Sequence, residues 1–366
     1  MGTIPLYFDN NATAPLRAEA SAAMHKAMGA PANPSSVHSF GRTARLTVEA
    51  ARESVALLAG SRAADVVFTS GGTEANNLAL AGFDYIVTSA IEHDSVRESA
   101  SNASIINVTP DGKIDLDHAR DVLAALPDAQ RPSTIMSVMA VNNETGVIQP
   151  LAELVALARE YGVAVHSDMV QMLGKDHFSF ATLDLDYASL SAHKIGGPSG
   201  VGALLVKPGN ALTSLLRGGG QEQGRRSGTE NFVGIAGFGA AATAAFGDIA
   251  HYQAMSKWRN QFEIVMRENL PEVSIFGQQT ERVGNTSCVA IAGKSAETMV
   301  MALDIAGVAI SAGSACSSGK VKASHVLAAM GAGDLAGQAV RISGGWQTKQ
   351  SDFERLADVF LGLYKR

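Results

Sequence analysis

Between residues 66 and 206 the chain alternates short β-branched runs with amphipathic stretches, and that alternation narrows the fold to one class. The runs are Val66-Val67-Phe68, Tyr85-Ile86-Val87, Ile105-Ile106-Asn107-Val108, residues 135–141, Val163-Ala164-Val165-His166, residues 187–190 and residues 203–206. The stretches between them have helical period: within residues 150–161, Leu151, Leu154, Val155 and Leu157 fall on one stripe. The pattern predicts an α/β fold, a mainly parallel sheet covered on both faces by helices. Polar residues cluster just after several runs, where open α/β sheets bind ligands.

At 366 residues the chain exceeds the roughly 250 to 300 at which a single core stops growing, so two domains are expected. Beyond about Ala250 the texture changes to a long helical region, short strands around residues 287–292 and 308–310, and a final helix from about Ser351. We assign residues 16–250 to a large domain and residues 1–15 with 251–366 to a smaller α+β domain. The 29 basic against 35 acidic residues, a formal charge of -6, argue against nucleic acid or anionic membrane as main partners and favour small polar or zwitterionic ligands. Residues 235–250, rich in Ala and Gly and containing Asp248, read as a buried helix and not a membrane span. Two cysteines cannot build a disulfide framework and no charged, then apolar, leader opens the sequence, which points to a reducing cytoplasm. His25, His38 and His118 lack the spacing of a metal site, so no metal is expected.

Several polar clusters carry chemistry. Lys194, in His193-Lys194-Ile195-Gly196-Gly197-Pro198, follows the run ending at Leu190 and so sits at the ligand edge of the sheet. An amine there suits a Schiff base: pyridoxal phosphate held as an imine exchanges onto a substrate amine, and the freed lysine shuttles protons. A solvated lysine before a Gly-Gly-Pro turn has the same local sequence. Asp168, in His166-Ser167-Asp168-Met169-Val170-Gln171, is a carboxylate at a buried strand end that needs a cationic partner. The protonated pyridine nitrogen of the same cofactor would supply one; an N-cap for the next helix is the other reading. Thr69-Ser70-Gly71-Gly72-Thr73-Glu74-Ala75-Asn76-Asn77 is a strand, a Gly turn and a helix start, able to hold a phosphate dianion through backbone N–H groups and the Thr73 hydroxyl, or simply to cap the helix.

His93, after Glu92, could stack on a flat ring or serve structure alone. Asn143, in Val141-Asn142-Asn143-Glu144-Thr145-Gly146, offers an amide to a cofactor oxygen or an α-carboxylate. Arg341 offers a planar fork for a carboxylate, or an interdomain salt bridge. Cys316 lies in Ser311-Ala312-Gly313-Ser314-Ala315-Cys316-Ser317-Ser318-Gly319, a run too rich in Gly and Ser to pack a core. A thiol there reads as a nucleophile on a loop able to swing, or as an incidental Cys in a turn. Cys288, in the alternating Asn285-Thr286-Ser287-Cys288-Val289-Ala290-Ile291, reads as an inert core thiol.

Together these pieces resemble the pyridoxal-phosphate cysteine desulfurases of the class V aminotransferase family, in the group with the short Ser-x-Gly-Ser-Ala-Cys loop. The resemblance runs nearly end to end and in order. It takes in Phe8-Asp9-Asn10-Asn11-Ala12-Thr13-Ala14-Pro15, Asn33-Pro34-Ser35-Ser36-Val37-His38, the residue 69–77 turn, Glu92-His93, residues 141–146 and residues 166–171. It continues through Ser191-Ala192-His193-Lys194, Arg226-Ser227-Gly228-Thr229, the Cys316 run and Arg341.

The resemblance implies a type I pyridoxal-phosphate transferase fold with a seven-stranded sheet in the large domain. It implies that Lys194 carries the cofactor as an imine, His93 stacks on the ring, Asp168 pairs with its nitrogen and Gln171 meets the phenolic oxygen. Thr73, Ser191 and His193 would hold the phosphate, and Thr229 would reach the phosphate of a neighbouring subunit in a homodimer. Asn143 and Arg341 would fix the substrate carboxylate. Cys316 would take sulfur from L-cysteine, leaving alanine and a persulfide that passes to an acceptor protein such as an iron-sulfur scaffold, or into thiocofactor assembly. A lyase of the same fold acting on cysteine or selenocysteine, or an aminotransferase, would need Lys194 but not Cys316. A sulfur-relay subunit without catalysis would not take up the cofactor. Met169 stands where the family places Ala against one ring face, so a thioether there is expected to tilt the ring or narrow the site.

Overall fold

The computed structural model describes residues 5–29, 31–313 and 323–365. In chain order its strands are β1 (Leu6–Tyr7), β2 (Val66–Thr69), β3 (Tyr85–Ser89), β4 (Ser104–Ile106), β5 (Thr134–Ser137), β6 (Ala164–Asp168) and β7 (Tyr187–Ser191). Then follow β8 (Gly202–Val206), β9 (Val273–Phe276), β10 (Thr286–Ile291), β11 (Val308–Ala309), β12 (Ser311–Ala312) and β13 (Ala339–Ser343).

Seven of them form one sheet in the order β2-β8-β7-β6-β5-β3-β4. From β7 to β4 every pairing is parallel, and β8 runs antiparallel to both its neighbours. The reversal has a local cause: residues 192–201 between β7 and β8 hold only the short turn Ala192–Lys194, and a parallel return needs a longer crossover. β2, β5, β7 and β8 are buried along their whole length, which is why their sequences are runs of apolar and small residues without alternation.

Helices cover both faces. Phe232–Phe246 packs against Ala18–Met28 and Ser39–Ala59. Gly239 permits the close approach: a Cβ there would come within 2.6 Å of Ala51. The apolar composition of residues 235–250 is thus spent on helix packing. Among the described residues no single helix is long and apolar enough to cross a membrane; Phe232–Phe246 and Ile249–Asn269 pass such a test only as a pair bent by 64°.

A second sheet, β12-β13-β10-β9, is antiparallel throughout. Its core holds Phe262 of Ile249–Asn269 with Phe353 and Phe360 of Gln350–Tyr364. The first described residues join this core: β1 pairs in parallel with β11, and Phe8 meets Phe353 edge to face at 4.9 Å.

The seven runs read from the sequence all become strands of the large sheet. Most boundaries agree within two residues; the largest shifts are at the run 105–108, which gives β4 ending at Ile106, and at the run 135–141, which leaves the sheet after Ser137 to carry Asn142 and Asn143 toward the strand ends. The long helical region expected after Ala250 is the helix Ile249–Asn269, and the helix expected over 235–250 ends earlier, since Gly247 and Asp248 separate Phe232–Phe246 from Ile249–Asn269. The run 308–310 splits at Ile310, so β11 serves the chain's first strand and β12 serves β13.

Candidate active site

The C-terminal ends of the parallel strands open on a cavity of about 760 Å³. Nine of the sequence-derived candidates line it: Thr73, His93, Asn143, Asp168, Gln171, Ser191, His193, Lys194 and Arg341. Thr229 does not. It is exposed and borders a small separate depression with Thr69, Ser70 and Arg226. Cys316 lies outside the described residues, between Gly313 and Ala323, both of which line the cavity. A further cavity of about 510 Å³ lies away from these strand ends, beside the buried Arg52 and Glu222 pair at 2.7 Å.

Lys194 closes the turn after β7, so its side chain is delivered to the sheet edge. Its Nζ donates to the main-chain oxygens of Asn11 at 2.6 Å and Ala12 at 2.8 Å. Burial, with the Arg341 charge adding to it, pushes this amine down to about 8, against an opposing pull from Asp168 and Asp9. Near neutral pH a usable fraction is therefore unprotonated. His193 beside it is pushed down to about 4 by burial and by the charges of Lys194 and Lys175. Its Nδ1 meets the Thr13 hydroxyl at 3.2 Å.

A chain of hydrogen bonds links Asp168 to His93. Asp168, at the end of β6, accepts from the Asn76 amide at 2.8 Å through Oδ2 and from the Val170 N–H at 3.0 Å through Oδ1. The same Asn76 nitrogen donates to the Ser95 hydroxyl at 2.8 Å, and that hydroxyl meets His93 Nδ1 at 2.8 Å. The Ser95 N–H also donates to His93 Nδ1, at 3.1 Å. A backbone N–H can only donate, so Nδ1 is the acceptor nitrogen and the ring's proton sits on Nε2. Below this chain lies Glu92, fully buried, its carboxyl pushed up to about 8 by burial. The Ser89 hydroxyl and the Met139 N–H, both donating to Oε1, oppose that shift.

The N-terminal segment forms the opposite wall. The Asn11 main-chain oxygen accepts from Lys194 and from the Gln171 amide at 3.0 Å, and its side chain accepts from Lys175 Nζ at 2.9 Å. Arg341, on β13 of the second sheet, donates to Asp9 at 2.7 Å and to the Asn143 carbonyl at 3.2 Å. Its Nε is buried without a partner among the described residues, so the guanidinium fork is not fully used by them.

Residues 6–356 match the family description "Aminotransferase class-V". The chain belongs to the class-V aminotransferase family. A cysteine desulfurase of Sinorhizobium fredii is 38% identical over 375 residues, covering 99% of this chain and 97% of that protein. The X-ray structure of a NifS-like protein from Rickettsia africae superposes with a TM-score of 0.91 at 33% identity, covering 99% of this chain and 100% of that one. The solved structure of SspA in complex with cysteine has a TM-score of 0.78 at 29% identity, covering 92% and 98%. The chain is thus a class-V member of the cysteine desulfurase kind, and enzymes of this family use pyridoxal phosphate.

The cavity fits that cofactor on its own chemistry. The helix Gly72–Leu80 begins on the cavity wall at Gly72 and Thr73, and first-turn N–H groups with the helix dipole favour a phosphate dianion. Gly202 lets this turn press on the sheet: a Cβ there would lie 2.6 Å from the Leu190 carbonyl oxygen and 2.7 Å from Gly71. Among the described residues the Asp168 carboxylate is bonded by an amide and an N–H, which leaves it able to face a ring cation.

One sequence expectation is overturned. Met169 is fully buried in the main core and does not line the cavity; Val170 does. Asp168 ends a strand, so the next side chain turns to the opposite face and the one after it returns. The Met169 thioether therefore does not narrow the site.

The residues missed from sequence are those that hold others. Ser95 and Asn76 bridge Asp168 to His93; Asn11 joins both lysines. Glu144 accepts from the Ser324 hydroxyl at 2.6 Å, and His325 Nε2 donates to the Glu92 carbonyl at 3.0 Å. Asn11, Asn76 and Glu144 lay inside the quoted motifs without a role, and for Lys175 and Ser95 no local signal existed. Cys288, on β10, is buried and its thiol is pushed up by burial, as its alternating run suggested.

Proposed function

We propose that this chain is a cysteine desulfurase of the short-loop group. It converts L-cysteine and the Cys316 thiol into L-alanine and a Cys316 persulfide: the Cβ–S bond breaks, an S–S bond forms, and a proton replaces sulfur on Cβ. When bound, pyridoxal phosphate supplies the electron sink that makes the Cβ–S bond labile.

The chain's own residues do the rest. Lys194, an amine near pKa 8, is the nucleophile that fixes the cofactor and afterwards holds or releases the proton at Nζ. Asp168 keeps a proton on the ring nitrogen, braced by Asn76. His93, with its proton on Nε2, and Val170 both line the cavity and would cover the two faces of the ring. Thr73, Ser191 and the neutral His193 bind the phosphate, while the amide of Gln171 meets the phenolic oxygen. Arg341 and Asn143 orient the substrate carboxylate.

Thr229, exposed and away from this chain's cavity, reaches the phosphate of a second copy, so the working unit is a homodimer. Residues 16–250 form the cofactor-binding domain, and residues 1–15 with 251–366 form the domain that brings Arg341 and Cys316. The persulfide then passes to an acceptor protein such as an iron-sulfur scaffold, or into thiocofactor assembly.

The observation that carries this reading is the convergence of Lys194, Asp168, His93 and Arg341 on one cavity bordered by Gly313 and Ala323. The test is borohydride reduction of the cofactor-loaded protein. The cofactor's mass should be fixed on the parent chain and not on Lys194→Ala; equal labelling of both would remove Lys194 from its role.

A further inference from the structure

Lys175 is buried at 2% exposure, and the groups that shift its amine are its own burial and the charges of Lys194 and Arg341. Both charges are like its own. The amine is held well below its ordinary range. An apolar side chain of equal length would fill the same space at lower desolvation cost. What the amine adds is a pair of hydrogen bonds, to the Asn11 side-chain oxygen at 2.9 Å and to Gln171 Oε1.

Both acceptors belong to residues that line the cavity. A carboxamide has one accepting and one donating end. With its oxygen engaged by Lys175, Gln171 keeps its Nε2 on the cavity side, where it now donates to the Asn11 main-chain oxygen at 3.0 Å. With its own side-chain oxygen engaged, Asn11 points its amide nitrogen at the Asn143 carbonyl and the Thr286 hydroxyl. That arrangement aims the Asn11 main-chain oxygen at Lys194.

We propose that Lys175 is a positioning residue: it sets the orientation of the Gln171 amide, so that an N–H and not a carbonyl faces the cofactor's phenolic oxygen. This rests on the reading above that Gln171 meets that oxygen. An N–H facing it stabilises the anionic oxygen, and a carbonyl facing it would destabilise the anion.

The test is a pH titration of the visible absorption of the bound cofactor in the parent, Lys175→Met, Gln171→Ala and the double variant, with the cofactor dissociation constant measured beside it. Lys175→Met and Gln171→Ala should each shift the midpoint upward, by about one pH unit, and the double variant should shift it no further than either alone. Should Lys175→Met fail to fold, Lys175→Ala with and without ethylamine in the buffer makes the same comparison, and the added amine should restore the parent midpoint. A midpoint unmoved by loss of Lys175, or moved equally with and without Gln171, overturns the proposal. A shift on loss of Lys175 with none on loss of Gln171 overturns it too, and locates the fault in the assignment of Gln171 to the phenolic oxygen.

Discussion

Ser324 donates its hydroxyl to Glu144 at 2.6 Å, and Gly313 lies so close to the same carboxylate that a Cβ there would come within 2.2 Å of it. One buried residue from the loop after β5 therefore holds Ser324 by a hydrogen bond and packs against Gly313, on either side of the segment that contains Cys316. Removing that hold should cost transfer and not cofactor binding. Glu144→Ala and Gly313→Ala are each expected to lower the rate of sulfur removal by about 10- to 100-fold, the cost of misplacing a reacting group, with the absorption of the bound cofactor unchanged. Single-turnover alanine formation beside an absorption spectrum checks this; parent rates in both variants would contradict it.

Glu92 gives a pH dependence of stability. Its carboxyl is pushed up to about 8 from an ordinary value of 4.5. Between those pH values the folded chain holds a proton that the unfolded chain has lost, so this group's contribution to stability falls as pH rises, by up to about 1.4 kcal/mol per pH unit. Glu92→Gln cannot lose a proton and keeps an oxygen for Ser89 and Met139. Its melting temperature relative to the parent should rise from pH 5 to pH 8 and level off above. A difference that stays constant with pH would refute the assignment.

Cys288 marks the contrast between a buried and a working thiol. Burial holds it protonated, and only the thiolate is a good nucleophile. Cys288→Ala should cost about 1 kcal/mol of stability, as a small core truncation does, and leave desulfuration at the parent rate. Loss of activity in a folded variant would show that the second cysteine takes part.

The large sheet was legible because its signal is local and repeated: short runs of apolar and small residues, most of them β-branched, recur between helical stretches, and all seven became strands. The site was legible where the chemistry needs an unusual residue at a strand end, as with Lys194 and Asp168. What could not be read is what depends on partners far along the chain. Asn11 meets Lys194 across 183 positions and Asn76 meets Asp168 across 92, and no local pattern records such a bond. Met169 was placed at the ring face by resemblance alone, and the strand register instead turns it into the core and puts Val170 on the cavity wall. β9 and β13 were not read from the sequence, and β13 carries Arg341 at its centre.

The central claim is sulfur transfer to Cys316, and the most direct measurement is alanine and sulfide released from L-cysteine by cofactor-loaded protein with excess thiol reductant, run beside Cys316→Ala. Equal amounts of both products from the parent, lost in a variant that still binds the cofactor, are the predicted result. Activity surviving in Cys316→Ala, or pyruvate and ammonia in place of alanine, would contradict the account and make the chain a lyase.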